Sequence, residues 1–428
     1  MTRATPDPAK VAAVTRARVV VDIGSTVVKI ARLGAGGALE SQQLVARDFE
    51  AGLARQVEVL LESCGIPLDS DDFAVCSSAN GGLRVGIVCL SPHYSGAALR
   101  NQVLLAGANP VYVHALDEQP GSLAQVDILL VGGGIDCPDA RPLELRLRAF
   151  EPQRYRYGAL VYAGNRHLAA LFVGLFPAAT VVGNPLAESL AGRSLSVFEA
   201  VRDAYLDDLV YKEGVSELRS NLSRGIRPTP EIVSRGFQRA LVNSSSIDIS
   251  GACVVLDIGG ATTDLHYTVE IVRDDSEQRP APGMSVARFV FTDLGIVASR
   301  DSLMLQLRNH PRLYEFLAGV LDDGVGATYQ AMREGEWEPT PLLLSYGCLF
   351  IACDRFAHGR GPGLPTADLA RIAQIILTGG ASQTLSEERV ARMFRLFLAP
   401  GNGAPTILID RRYQLWVDGI TWSGHAGQ

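Results

Sequence analysis

Two acidic residues, Asp22 and Asp257, each end a hydrophobic run and precede a glycine turn rich in hydroxyls. The first stretch reads Val20-Val21-Asp22-Ile23-Gly24-Ser25-Thr26-Val27-Val28-Lys29, the second Leu256-Asp257-Ile258-Gly259-Gly260-Ala261-Thr262-Thr263-Asp264. A buried strand that turns on glycine can gather backbone N–H groups at one point. Such a nest holds phosphate oxygens without any net positive charge. Ser25, Thr26, Thr262 and Thr263 add hydroxyl donors, and Lys29 adds a cation. Carboxylates at these strand ends suit the orientation of Mg²⁺ through its waters, so Asp22 and Asp257 are the candidate metal-orienting residues. Asp264 is a candidate for positioning water or bracing the turn. Either stretch alone reads equally well as a plain hairpin with a polar tip. Together they predict two turns that can face each other across a cleft and hold the phosphates of one nucleotide.

A third glycine turn, Thr378-Gly379-Gly380-Ala381, follows the apolar run Ile375 to Leu377. Its two glycines would let the chain lie flat against an adenine and ribose. A generic strand–turn–helix junction is the alternative. His266 and His358 are weighed as ligands and read more simply as a strand histidine and a basic turn, and Cys348 and Cys353, five positions apart with no histidine nearby, are not expected to hold a metal.

These turns need strands to carry them. Arg18 to Ile23, Thr26 to Leu33 and Phe73 to Ser77 read as strands, with a helix over Phe49 to Cys64. Leu83 to Leu90, Val111 to Ala115, Ile128 to Val131 and Ala159 to Ala163 alternate with helical stretches, which predicts a mostly parallel α/β subdomain. Helices are expected over Ser196 to Val210 and Pro228 to Val242, the first with Asp203, Asp207 and Asp208 on its polar side. The second half restarts with strands Ala252 to Asp257 and Leu265 to Ile271 and a loop over Arg273 to Gly283. Helices follow at Ser302 to Asn309, Leu313 to Val320, Ala367 to Ile372 and Leu385 to Leu398, with strands at Ile375 to Thr378 and Thr406 to Ile409.

With 428 residues the chain is too long for one core. The expected division is 18–65 and 156–250 as one half, 66–155 as an inserted α/β subdomain, and 251–428 as a second, related half. A net charge of −7 gives no overall basic field for nucleic acid. Seven scattered cysteines without a CxxC pair fit reduced thiols and a cytoplasmic setting. No apolar window reaches the length of a membrane span, and no membrane role is expected. The GxxxxGK[ST] loop of P-loop enzymes is absent.

The three glycine turns resemble the phosphate-1, phosphate-2 and adenosine signatures of the actin, Hsp70 and sugar-kinase superfamily. Cys76-Ser77-Ser78-Ala79-Asn80-Gly81-Gly82-Leu83, the Asp127 to Asp136 strand with its triple glycine, Val161-Tyr162-Ala163-Gly164-Asn165 and Gly260-Ala261-Thr262-Thr263-Asp264 resemble, more narrowly, the MutL/GlmL proteins. These accompany adenosylcobalamin-dependent glutamate mutase and related aminomutases. The resemblance runs from about Arg18 to Ile420. It implies an actin-like (ribonuclease H-like) α/β ATPase fold of two related halves with an inserted α/β subdomain. It also implies ATP or ADP with Mg²⁺ as ligands, and a mutase subunit as partner. The implied role is an ATPase that expels damaged corrinoid from that mutase. No Asp-x-His-x-x-Gly run is present, so the cobalamin is expected to belong to the partner. The chain departs from the family pattern at Phe291-Thr292-Asp293-Leu294-Gly295, at Cys137-Pro138 and at Arg355-Phe356-Ala357-His358-Gly359-Arg360. A small-molecule kinase with Asp257 or Asp293 as base, and a nucleotide-gated scaffold without turnover, are the alternative functions.

Overall fold

The computed structural model describes residues 17–24, 26–34, 38–48, 50–68, 70, 72–78, 83–105, 108–118, 123–186, 197, 200–201, 204, 226–242, 245, 247–276, 285–361 and 364–421, the side chains of 101, 104 and 105 excepted. Ser25, residues 79–82 of the Ser77 to Leu83 motif, and most of the helix expected over Ser196 to Val210 lie outside this set. The chain divides into two compact units. One comprises Met1–Gly81, Leu206–Ile249 and Asp410–Gln428, the other Gly82–Tyr205 and Ser250–Ile409.

The first unit is built on a mixed sheet of β1 (Val19–Ile23), β2 (Val27–Leu33), β3 (Leu39–Ala46), β4 (Phe73–Ser77) and β10 (Ile226–Pro228). Its spatial order is β10-β4-β1-β2-β3. β1 pairs antiparallel with β2 and parallel with β4. The Val-Val-Val-Asp-Ile sequence of β1 is buried at every position, as a central strand covered on both faces requires. The edge strand β3 carries Glu40, Ser41, Gln42 and Gln43 in exposed positions, a polar rim that discourages edge-to-edge pairing. One face is covered by the helices Thr229–Leu241 and Gln414–Thr421. Ile232, Trp416, Val417 and Ile420 of these helices, with Tyr413 just before the second, pack with Val20, Ala31, Leu33 and Cys76 of the sheet.

The second unit holds two sheets. β11 (Cys253–Ile258), β12 (Thr263–Thr268), β13 (Val286–Phe291), β14 (Gln374–Thr378) and β15 (Thr406–Ile409) stand in the order β13-β12-β11-β14-β15. β11 is antiparallel to β12 and parallel to β14. Counted along the chain, both mixed sheets follow one plan. The third strand is outermost, then come the second, first, fourth and fifth. The two hairpins that carry Asp22 and Asp257 occupy equivalent places in it. This repeated plan is the actin-like, ribonuclease H-like fold of two related halves.

The remaining sheet, β6-β5-β7-β8-β9, is parallel throughout. It comprises β5 (Arg84–Cys89), β6 (Asn109–Ala115), β7 (Val126–Gly133), β8 (Tyr157–Gly164) and β9 (Thr180–Val181). This sheet runs from Arg84 to Val181 within the second unit, where the sequence suggested a separate subdomain over 66–155, and its helix Ala97–Leu105 packs on β13.

Several elements differ from the sequence expectation. The helix expected over Ala367 to Ile372 is a bridge from Ala367 to Val272 followed by a short 3₁₀ turn at Leu369–Arg371. Asp368 starts that turn by accepting the Ala370 N–H at 3.2 Å, a local bond that competes with helix extension. The long helix Pro341–His358 was not anticipated. It is buried nearly all round, so its apolar residues show no amphipathic period. Its ends are well marked in retrospect. Thr340 accepts the Leu343 N–H, Pro341 opens the first turn and Gly359 closes it in the left-handed region. β13, β3 and the helices Arg141–Ala149 and Val325–Glu334 were likewise missed.

Candidate functional site

Asp22 sits at the penultimate position of β1, opposite Lys29 of β2 and Cys76 of β4. Its side chain is fully buried. Lys29 Nζ donates to Oδ2 at 2.6 Å, Thr229 Oγ1 to Oδ1 at 2.5 Å, and Cys76 Sγ to Oδ1 at 3.5 Å. Burial, and then the neighbouring Asp22 charge, push the Cys76 thiol well up, so it remains a protonated donor. Trp416 Nε1 donates to the same sulfur at 3.0 Å. The Lys29 ammonium lies 4.9 Å from the Tyr413 ring centroid. Asp22, expected to orient a metal ion, is thus seen holding Lys29. Thr229 reaches Asp22, and Trp416 reaches Cys76, from two helices that cross so closely that a Cβ on Gly236 or Gly419 would meet backbone.

The turn beyond Asp22 is tight. Gly24 N–H donates to the Val27 carbonyl at 2.9 Å, and Arg47 Nη1 donates to the Gly24 carbonyl at 3.0 Å. The Arg47 N–H binds the Thr26 carbonyl at 2.9 Å. Arg47 therefore joins this turn, although nothing in its own surroundings in the sequence marks it.

In the second unit, Gly259 N–H donates to the Thr262 carbonyl at 2.9 Å and closes the equivalent turn. The carbonyls of Gly259, Gly260 and Ala261 all accept bonds from residues 296–299. Among the described residues, no bond takes up the N–H groups of Gly260, Ala261 and Thr262. With its acceptors occupied and its donors left over, the turn has the polarity of an anion nest. Thr263, expected as a phosphate donor, is fully buried and gives its hydroxyl to the Leu294 carbonyl at 2.9 Å. That leaves the Thr262 hydroxyl, half-buried, beside the turn.

Asp257 is half-buried at the end of β11 and pairs in register with Thr378 of β14. Gly379 follows in the left-handed region at φ +86°, so close that a Cβ there would overlap Asp257 Oδ1 and the backbone of Ile258. A Cβ on Gly380 would meet nothing within 4 Å. Asp257, the Gly259–Gly260 turn, Thr378, Gly379 and Gly380 thus gather at the ends of two adjacent parallel strands. This donor set fits a phosphate group, and Asp257 fits a hydrated cation beside it. Among the described residues no cluster of three or more His, Cys, Asp or Glu side chains forms a ready metal cage.

Asp264 lies deeper. It is paired with Arg288 of β13, whose Nε donates to Oδ1 at 3.1 Å and whose Nη2 donates to the same oxygen. The pair is buried, and it braces β12 against β13. His266 is fully buried on β12, and burial drives its pKa well below the usual 6.5, with Arg288 adding to the shift. His358 ends the long helix and bonds the Asp354 carbonyl at 2.7 Å. Cys348 and Cys353 are buried thiols pushed up to about 12 by burial.

Asp293 and Arg355 form an ion pair. Arg355 donates to both Asp293 oxygens, at 2.8 and 2.6 Å. Burial would raise the Asp293 carboxyl, but the Arg355 guanidinium overrides it and holds the group below the usual range. Among the described residues, no helix is long and apolar enough to cross a membrane.

Comparison with known proteins places these features. At the level of folds, the chain aligns over 94% of its length with 99% of a glycerol dehydratase reactivase, at 10% identity and a TM-score of 0.36. It aligns over 94% with 92% of the activator of the 2-hydroxyisocaproyl-CoA dehydratase from Clostridium difficile with bound ADPNP, at 9% identity and a TM-score of 0.34. Overlaps this loose carry no functional argument. In sequence it is 25% identical over 267 residues to Protein MutL of Clostridium tetanomorphum, across 58% of this chain and 57% of that protein. The chain thus spans little more than half the length of that curated relative. The MutL protein family matches residues 18–341, well over half of the 428. The chain belongs to the MutL protein family.

Proposed function

We propose that this protein binds ATP and ADP, hydrolyses ATP slowly with Mg²⁺, and serves as an accessory factor that drives damaged cofactor out of an adenosylcobalamin-dependent mutase. The observation that carries the nucleotide part is the second turn. Among the described residues, three N–H groups of the turn that follows Asp257 have no protein acceptor, and Gly379 and Gly380 carry no side chain at the adjoining strand end. On this reading Gly259, Gly260 and Thr262 cradle phosphate oxygens, Asp257 orients the hydrated cation, and Thr378, Gly379 and Gly380 lie along the adenosine. Bound Mg²⁺ would supply neutralisation of phosphate charge. Asp264 and Thr263 hold the hairpin in shape rather than reaching the ligand. The first turn, with Gly24, Ser25 and Thr26, is assigned phosphate binding through its sequence echo. There Asp22 contributes by fixing Lys29.

The mutase partner rests on the family resemblance and on membership in the MutL family. The test is a pulldown with nucleotide present, followed by an activity-recovery assay on the captured mutase. Recovery with ATP but not with ADP alone supports the reading, and a mutase that is never retained contradicts it. The kinase alternative is weakened at its base. Of its two candidate bases, Asp293 is held ionised by Arg355 and is poorly disposed to take a proton from an acceptor hydroxyl, which leaves Asp257. Rapid phosphoryl transfer to a sugar or carboxylic acid would favour that alternative, and nucleotide binding without turnover would select a scaffold.

A further inference from the structure

Residues 292–299 follow β13 and wrap the outside of the Gly259–Thr262 turn. Ile296 N–H binds the Gly259 carbonyl at 3.3 Å, while Val297 and Ala298 bind the Gly260 carbonyl at 2.7 and 2.9 Å. Ser299 Oγ lies 2.7 Å from the Ala261 carbonyl and 2.9 Å from that of Thr292. Gly295 is pressed so closely on Ala261 that a Cβ there would come within 2.8 Å of the Ala261 Cα. The direction in which the turn presents its spare N–H groups is therefore set by this loop.

The loop in turn is anchored at its start. Asp293 takes both arms of Arg355, and Gln306 Nε2 donates to Asp293 Oδ2 at 3.1 Å. Arg355 Nη2 also reaches Gln306 Oε1 at 2.5 Å, and the guanidinium lies 5.8 Å from the centroid of the Phe291 ring. Asp293, Gln306 and Arg355 come from a loop and two different helices. A bidentate guanidinium–carboxylate pair fixes orientation as well as distance, which a lysine cannot reproduce. The preceding residue, Asp354, pins the same helix end through Arg360 at 2.9 Å, with His310 and His358 each 3.5 Å from its carboxylate. The anchor is thus mounted on a helix end that is itself held.

We propose that Arg355, acting through Asp293, is a positioning residue for the second phosphate turn. It aims the Gly260–Thr262 N–H groups without touching the nucleotide. The inference rests on the nucleotide reading of that turn.

The experiment is calorimetric titration of the full-length chain with ADP and with adenosine. Arg355→Met is expected to weaken ADP binding about tenfold, with adenosine binding unchanged, because adenosine has no phosphate to meet the turn. Asp293→Asn should give a similar loss, and the double variant should lose no more than either alone. Arg355→Lys keeps the charge but not the fork, and is expected to recover only part of the affinity. It also serves as the test variant should Arg355→Met not fold. Arg355→Met and Arg355→Lys chains that bind ADP within twofold of wild type would overturn the proposal, as would equal losses for ADP and adenosine. A wild-type chain that binds neither ligand overturns the nucleotide reading itself, a result distinct from any of these.

Discussion

Asp22 accepts three side-chain donors in a site with no water access, and only one of them, Lys29, carries charge. Removing that partner would leave a carboxylate buried without a counter-charge. Lys29→Met is therefore expected to destabilise the protein by about 3–5 kcal/mol, measured by chemical denaturation. A loss under 1 kcal/mol would mean that Asp22 does not depend on Lys29. The two glycine turns were legible in the sequence because strand, carboxylate and glycine are contiguous there. Their supports were not. Thr229 lies 207 positions from Asp22, and Arg355 lies 62 from Asp293. Such partners are chosen by tertiary packing, and no local pattern announces an arginine that will form a fork with a distant aspartate.

Among the elements, the helices Thr229–Leu241 and Gln414–Thr421 do most to fix the Asp22 end of the first sheet. They cross with backbone against backbone. A Cβ on Gly419 would overlap the Ile232 carbonyl and come within 2.9 Å of the Gly236 nitrogen. Gly419→Ala should force the helices apart, loosen the Trp416–Cys76 contact and cost about 3 kcal/mol, read as a lowered denaturation midpoint. An unchanged midpoint would show that the crossing is slack. The central strands were legible because their β-branched runs are buried on both faces. The long helix Pro341–His358 was opaque for the same reason: complete burial erases the 3.6-residue period that marks a helix at a surface.

For the whole molecule, acid should act in two stages. His266 is buried and neutral, with its folded pKa well below the usual 6.5. Below about pH 6.5 the unfolded chain takes up a proton that the folded chain refuses, so stability falls as pH drops. The slope for this one group is at most about 1.4 kcal/mol per pH unit. Asp293 and Asp354 are held below the usual 3.8, so their contribution persists above that value and is lost only as pH falls through the lowered range. Melting temperatures between pH 7.5 and 5 should therefore decline, and His266→Leu should flatten the decline. An identical profile in the variant would assign the acid sensitivity elsewhere. The doubled sheet plan was foreshadowed by a single sequence echo. The partnership of helix Ala97–Leu105 with β13 was not, because it joins segments far apart in the chain.

Calorimetric titration of the wild-type protein and of Gly379→Val with ADP is the most direct test of the central claim. Gly379 combines a positive φ with contact against Asp257 Oδ1, so a side chain there must displace the carboxylate and fill the bare strand end. The wild type is predicted to show saturable binding at a single site, weakened at least about tenfold in the variant. The account would be contradicted by a wild-type chain that gives no saturable heat at millimolar ADP, or by a folded Gly379→Val chain that binds as tightly as wild type.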